Sequence, residues 1–107
     1  MSIDILHRYT RAVLYHSDTA QTVAKAVEET LAGGANLGGA YLGGADFRGA
    51  NLRGAFLGGA DLGGANFRDA DLRGTNFQGT YLGDAEIRGA RGYVNSHDIF
   101  AEVIRRI

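Results

Sequence analysis

A mainly β, four-sided solenoid is the fold class this sequence predicts, and three observations predict it. From Ala35 the chain repeats every five residues, reading ANLGG, AYLGG, ADFRG, ANLRG, AFLGG, ADLGG, ANFRD, ADLRG, TNFQG, TYLGD and AEIRG through Gly89. A large apolar residue holds the third place of every unit: Leu37, Leu42, Phe47, Leu52, Leu57, Leu62, Phe67, Leu72, Phe77, Leu82 and Ile87. The fourth place runs Gly, Gly, Arg, Arg and starts again, so a period of twenty residues overlies the period of five.

A period of five fits neither a helix of 3.6 nor a strand of two. It fits a chain that turns a corner every five residues. The small first residue and the large third residue then point inward, and the second, fourth and fifth face water. Glycine in the fifth place, replaced only by Asp69 and Asp84, supplies the corners. A flexible glycine-rich linker would not set Leu or Phe at every fifth residue. Three units per lap would mix Gly and Arg in each column, whereas four units sort them, which gives nearly three laps over 35–94. Laps stacked like strands lie ~4.8 Å apart. Residues twenty apart therefore form ladders, such as Leu37–Leu57–Phe77 and Phe47–Phe67–Ile87.

So short an array has open ends that need covering. Residues 3–7 and 12–16 are β-prone runs around Arg8-Tyr9-Thr10-Arg11 and predict a hairpin. Ser17 or Asp18 offers an N-cap for a helix over about 19–32, with Ala20, Val23, Ala24, Val27 and Leu31 on its apolar face and Gly33-Gly34 at its end. The repeat lapses at Ala90-Arg91-Gly92, where glycine takes the core place. Asn95 or Ser96 then opens a second helix to about Arg106, with Ile99, Phe100, Val103, Ile104 and Ile107 sharing a face. That face either folds over the open end of the coil or packs against a second subunit. The 107 residues suit one domain: 1–34 as hairpin and helix, 35–94 as solenoid, 95–107 as C-terminal helix.

The run resembles the pentapeptide-repeat proteins, whose unit is a small residue, Asp or Asn, Leu or Phe, a polar residue, then Gly. The resemblance covers slightly more than half the chain. It implies a right-handed quadrilateral β-helix with four units per coil, in a bacterial or phage protein. Gyrase-inhibiting members dimerise end to end near their C-termini, which implies a homodimer here. Departures from the pattern are Tyr41, Phe56 and Tyr81 in the second place and Gly in the fourth place of five units.

Eleven basic and twelve acidic side chains give a net charge of −1, and no segment is polarised. Nucleic-acid binders carry a basic excess and acidic decoys the reverse, so neither is favoured. With no cysteine there is neither a disulfide framework nor a Cys-based zinc site. No apolar run approaches the ~18 residues of a membrane span, and the start lacks a signal-peptide pattern, so a soluble cytoplasmic protein is expected. Ser2, Ser17 and Ser96 sit at ends or caps, Lys25 is the sole lysine, and no phosphate-binding loop occurs. No enzyme activity, cofactor or small-molecule substrate is expected. His7 and His16, with Asp4, are the one conceivable metal set, and they read instead as exposed strand residues.

Two sides of the solenoid are smooth and two are charged. Tyr41, Phe56 and Tyr81, outward among glycines, suit a protein contact or else lie flat over the backbone as shields. Arg48, Arg68 and Arg88 form a ladder beside Arg53 and Arg73. That ladder is either salt-linked to Asp46, Asp69, Asp71 and Glu86 or a stripe for phosphates and carboxylates. The expected function is a non-catalytic structural or protein-interaction module that binds itself or another protein. The alternatives are a DNA-mimic inhibitor or protector of gyrase, which the resemblance implies, an anion or nucleic-acid binder using the arginine ladders, and an engineered or trimmed scaffold.

Overall fold

The computed structural model describes residues 2–92, so the expected C-terminal helix with Ile99, Phe100, Val103 and Ile104 lies outside the described residues. The chain opens with strand β1 (Ile3–Leu6), antiparallel to β2 (Val13–Ser17). Ile3 faces Ser17, Asp4 faces His16, Ile5 faces Tyr15 and Leu6 faces Val13, with a bulge that passes over Leu14. Instead of extending β1, His7 forms an antiparallel bridge to Ala40. The turn has no glycine, and Arg11 takes the left-handed conformation at φ 66. His7 stabilises it, because its Nδ1 accepts the N–H groups of Tyr9 and Thr10 at 3.1 and 3.2 Å.

Helix α1 spans Val23–Gly33, starting four residues later than the predicted 19. The reason is that Ser17 does accept the N–H of Ala20 at 2.9 Å, as an N-cap would, but it closes a loop. Thr22 is the actual cap, accepting the N–H of Lys25 at 3.1 Å. Gly34 ends the helix at φ 69, and its N–H returns to the carbonyl of Thr30. Ala26, Val27 and Thr30 are buried, whereas Val23, Ala24 and Leu31 are half-buried.

Beyond Ala35 the backbone is β-helix-like, built from corners joined by single parallel bridges rather than long strands. Tyr41 bridges to Asp61 and Asp61 to Tyr81; Asp46 to Asn66 to Glu86 and Asn51 to Asp71 to Arg91 repeat the step, always twenty residues. The N–H of Asp61 reaches back to Ala40 at 2.8 Å, and the N–H of Leu62 reaches forward to Tyr81 at 2.8 Å. Each corner closes when a first-place N–H donates to the third-place carbonyl before it, as from Ala40 to Leu37 at 3.0 Å. The fifth residue pays the conformational cost with positive φ, at 76 for Gly39 and 60 for both Asp69 and Asp84. The register holds through Arg91, to which Leu72 still donates at 2.9 Å, and the lapse lies in the core place itself, where Gly92 brings no apolar side chain.

All eleven third-place side chains are buried, the most exposed being Ile87 at 6%. Phe47 stacks on Phe67 with centroids 5.3 Å apart, and Phe67 meets Phe77 edge-on at 6.1 Å. The first-place threonines suit a dry site because each hydroxyl is satisfied. Thr75 donates to the carbonyl of Leu52 at 2.6 Å, and Thr80 to that of Leu57 at 2.8 Å. Ile5, Ala26 and Val27 join the same apolar cluster, so hairpin, helix and coil share one core.

The first lap has no lap before it to accept its second-place N–H groups, and the N-terminal elements take that role. Tyr41 donates to the carbonyl of Leu6 at 2.7 Å. Asn51 donates to the Glu28 carboxylate at 2.8 Å, where Asp71, one lap on, uses the carbonyl of Ala50. Glu29 holds the hairpin to the helix by accepting the hydroxyls of Tyr15, Ser17 and Thr19 at 2.9, 2.7 and 2.7 Å. Those bonds, Thr19's foremost, push its carboxyl below the usual range, and the bond to Glu29 raises the Tyr15 phenol.

Candidate interaction surface

The outward side of each unit is decided by its second and fourth residues. Where the second is Asp or Asn, its side-chain oxygen accepts the N–H of the fourth residue. Asn36 does so for Gly38 at 2.7 Å, Asn76 for Gln78 at 2.9 Å and Asp61 for Gly63 at 3.0 Å. This Asx turn is the physical reason for Asp or Asn in that place. Tyr41, Phe56 and Tyr81 cannot make it.

Instead, those three rings cover glycine. Every glycine in the fourth place lies against one of them. A Cβ on Gly43 would stand 3.1 Å from the Tyr41 ring, on Gly38 3.5 Å and on Gly58 3.7 Å from Phe56, and on Gly63 2.7 Å from Tyr81. On Gly83 it would collide with the Tyr81 ring and hydroxyl, and Gly83 is buried rather than facing water as the pattern predicted. The Tyr81 ring thus rests across two successive laps. The three rings remain 49, 45 and 48% exposed. They lie over the backbone as shields, one of the two readings the sequence allowed, and keep about half their surface exposed.

The arginine-bearing sides are largely neutralised within themselves. Arg48 forks onto Asp46 with bonds of 2.9 and 2.7 Å, and Arg73 onto Asp71 with bonds of 2.9 and 2.6 Å. The Arg48 guanidinium holds the Asp46 carboxyl down to about 2, and the Arg73 guanidinium does the same to Asp71. Arg53 approaches Asp71 at 3.9 Å and Arg88 approaches Glu86 at 4.0 Å. Asp69 is a correction: it does not pair with the ladder, but turns the corner at φ 60 with its carboxylate against Gly89. Arg68 has Asn66 in its second place and no ion pair among the described residues.

His7 and His16 do not meet. His7 lies against Gly39 and the turn amides, while His16 binds Asp4 at 2.5 Å and Asp18 at 2.8 Å. The bond to Asp4, then that to Asp18, raises the pKa of His16. Among the described residues no group of three His, Cys, Asp or Glu is arranged to hold a metal, and no helix is long and apolar enough to cross a membrane.

Around the smooth column the hairpin contributes cations that the sequence reading missed, because only the folded turn brings them there. The Arg11 guanidinium sits 5.8 Å from the Tyr41 ring centroid. Arg8 donates to the carbonyl of Gly59 at 3.2 Å, reaches Asp61 at 4.0 Å and stacks on Tyr9 at 4.8 Å.

The comparison with curated proteins finds no match. Among solved structures, the pentapeptide repeat protein Rfr23 from the cyanobacterium Cyanothece 51142 is 38% identical, with 53% of this chain and 43% of that one covered and a TM-score of 0.35. This chain therefore spans less than half the length of Rfr23. The pentapeptide repeat protein alr5209 from Nostoc Pcc 7120 is 36% identical, with 66% of this chain and 75% of that one covered and a TM-score of 0.30. The family profile described as Pentapeptide repeats matches 8 copies over residues 33–69 and 65–91, more than half the sequence, and the chain belongs to that family.

Proposed function

We propose that this chain is a non-catalytic protein-interaction module that associates with itself or with another protein through its smooth sides. In this reading the 107 residues form one domain. It is a right-handed, four-sided coil stack of nearly three laps, with hairpin and helix covering its first lap. The observation that carries the functional reading is the aromatic seating. Tyr41, Phe56 and Tyr81 stay about half exposed on glycines that give them a flat bed. Half-buried aromatics on a surface of low charge are the usual anchors of a protein contact. The opposite sides use Arg48 and Arg73 on their own aspartates, leaving less free charge for an anionic partner.

Sedimentation velocity at micromolar and tenfold lower concentration tests self-association. The reading expects a concentration-dependent shift that a Tyr41→Asn, Phe56→Asn, Tyr81→Asn variant loses while its circular dichroism stays unchanged. If the parent is a monomer throughout, the self-association clause is removed. If the variant associates as before, the aromatic sides are not the contact.

A further inference from the structure

The smooth column contains a shallow depression whose chemistry specifies more than an apolar contact. Tyr41, Asp61 and Tyr81 stand in register on three successive laps. With Asp84 at the rim, and five glycines as floor, they bound a depression of about 510 Å³. Among the described residues its lining holds two phenol rings and two carboxylates and no cationic residue. A ring face attracts a cation through its quadrupole, and a carboxylate beside it adds direct attraction.

The molecule already fills the near end of this column with its own cations. Arg11 lies over Tyr41, and Arg8 approaches Asp61 from the hairpin side. Tyr81, two laps from Tyr41, also lies on glycine and has nearly the same exposure, yet no cation stands over it among the described residues. The near tyrosine thus shows what the far tyrosine is equipped to hold.

We infer that the Tyr81 end of this depression binds the guanidinium of an arginine from a protein partner, with the ring as platform and the Asp61 carboxylate as counter-charge. This rests on the interaction-module reading and names the partner's chemistry. Arginine is favoured over lysine because a planar guanidinium stacks flat on a ring while its edge forks toward a carboxylate. The glycine floor allows that approach, since no side chain of Gly63 or Gly64 stands in the way.

The test is nuclear magnetic resonance titration of the full chain, at a concentration where it is monomeric, with a capped Gly-Gly-Arg-Gly-Gly peptide. Matched peptides carry lysine or the uncharged arginine isostere citrulline. The expected result is saturable shifts at the amides of Gly63, Gly64 and Gly83 with the arginine peptide, weaker ones with lysine and none with citrulline. Tyr81→Leu, which keeps apolar bulk, should weaken arginine binding by about three- to tenfold. Asp61→Asn, which retains the Asx turn, should also weaken it. Equal shifts from citrulline, no saturable shift, or unchanged affinity in both variants would overturn the inference. Because association of the chain is read separately by sedimentation, a failed titration beside positive sedimentation removes the arginine site alone.

Discussion

The smooth sides and the arginine-bearing sides share one backbone corner, yet they cover its fourth residue by different means. On the charged sides an Asp or Asn accepts the fourth-place N–H, and in two units the arginine that follows folds back onto the same carboxylate. On the smooth sides three second-place aromatics forgo that bond, and the fourth residue is glycine wherever a ring must lie down. The second and fourth places are therefore chosen together. A polar second residue caps the corner, and wherever a ring lies over the fourth place that place is glycine, even at Gly38 and Gly63, where Asn36 and Asp61 also cap.

This coupling can be broken at Gly63. Its φ is not in the left-handed region, so adding a side chain there costs only what the Tyr81 ring and Asp61 exact. Gly63→Val should destabilise the fold by about 1–3 kcal/mol, in the manner of overpacking. Adding Tyr81→Asn should restore most of the loss, a coupling read from urea midpoints of the double-mutant cycle. Arg68→Val, at the next fourth place, should stay within about 0.5 kcal/mol of the parent. Equal losses at Gly63 and Arg68 would mean that the two kinds of side do not differ as described.

A smaller effect sharpens the other half of the comparison. Asp46 and Asp71 are held at about 2 when folded, below the ordinary aspartate value near 3.9. Their pairing with arginine therefore stabilises the fold fully above about pH 4 and is lost as pH falls through about 2. An Asp46→Asn, Asp71→Asn variant keeps both corner bonds and should flatten that acid limb of a thermal-melt profile. The smallest effect lies in the hairpin. His16 is raised by Asp4 and Asp18, so its contribution is complete below its ordinary value near 6.5 and disappears as pH rises through the higher folded value. His16→Gln should remove that decline in melting temperature on the alkaline side.

The coil was legible because burial imposes its period directly on the sequence: Leu37 through Ile87 recur at every fifth place, and the arginine columns set the lap. What stayed hidden depends on proximity across the fold. Glu28 acts as a substitute carbonyl for Asn51 only because α1 lies beside the first lap, 23 residues away in sequence. The start of α1 was misread because Ser17 and Thr22 both make cap-like bonds, and only the backbone between them separates a loop from a helix. The aromatic residues were legible as outward and as lying over glycine, because the twenty-residue lap already sets Gly63 and Gly83 on the same face as Tyr81; what was not legible is that the Tyr81 ring covers both. Arg8 and Arg11 reached the smooth column by a turn that no glycine or asparagine announced.

The measurement that reaches the central claim most directly is disulfide trapping, in a chain that has no cysteine of its own. Asp46→Cys with Asn66→Cys joins second-place residues twenty apart, which stacked laps hold ~4.8 Å from each other. Asp46→Cys with Asp61→Cys joins second-place residues fifteen apart, on neighbouring sides of the coil. A lap of four units predicts rapid, near-complete oxidation of the first pair and little of the second. Preferential bonding of the second pair would instead require a three-unit lap and would contradict the account.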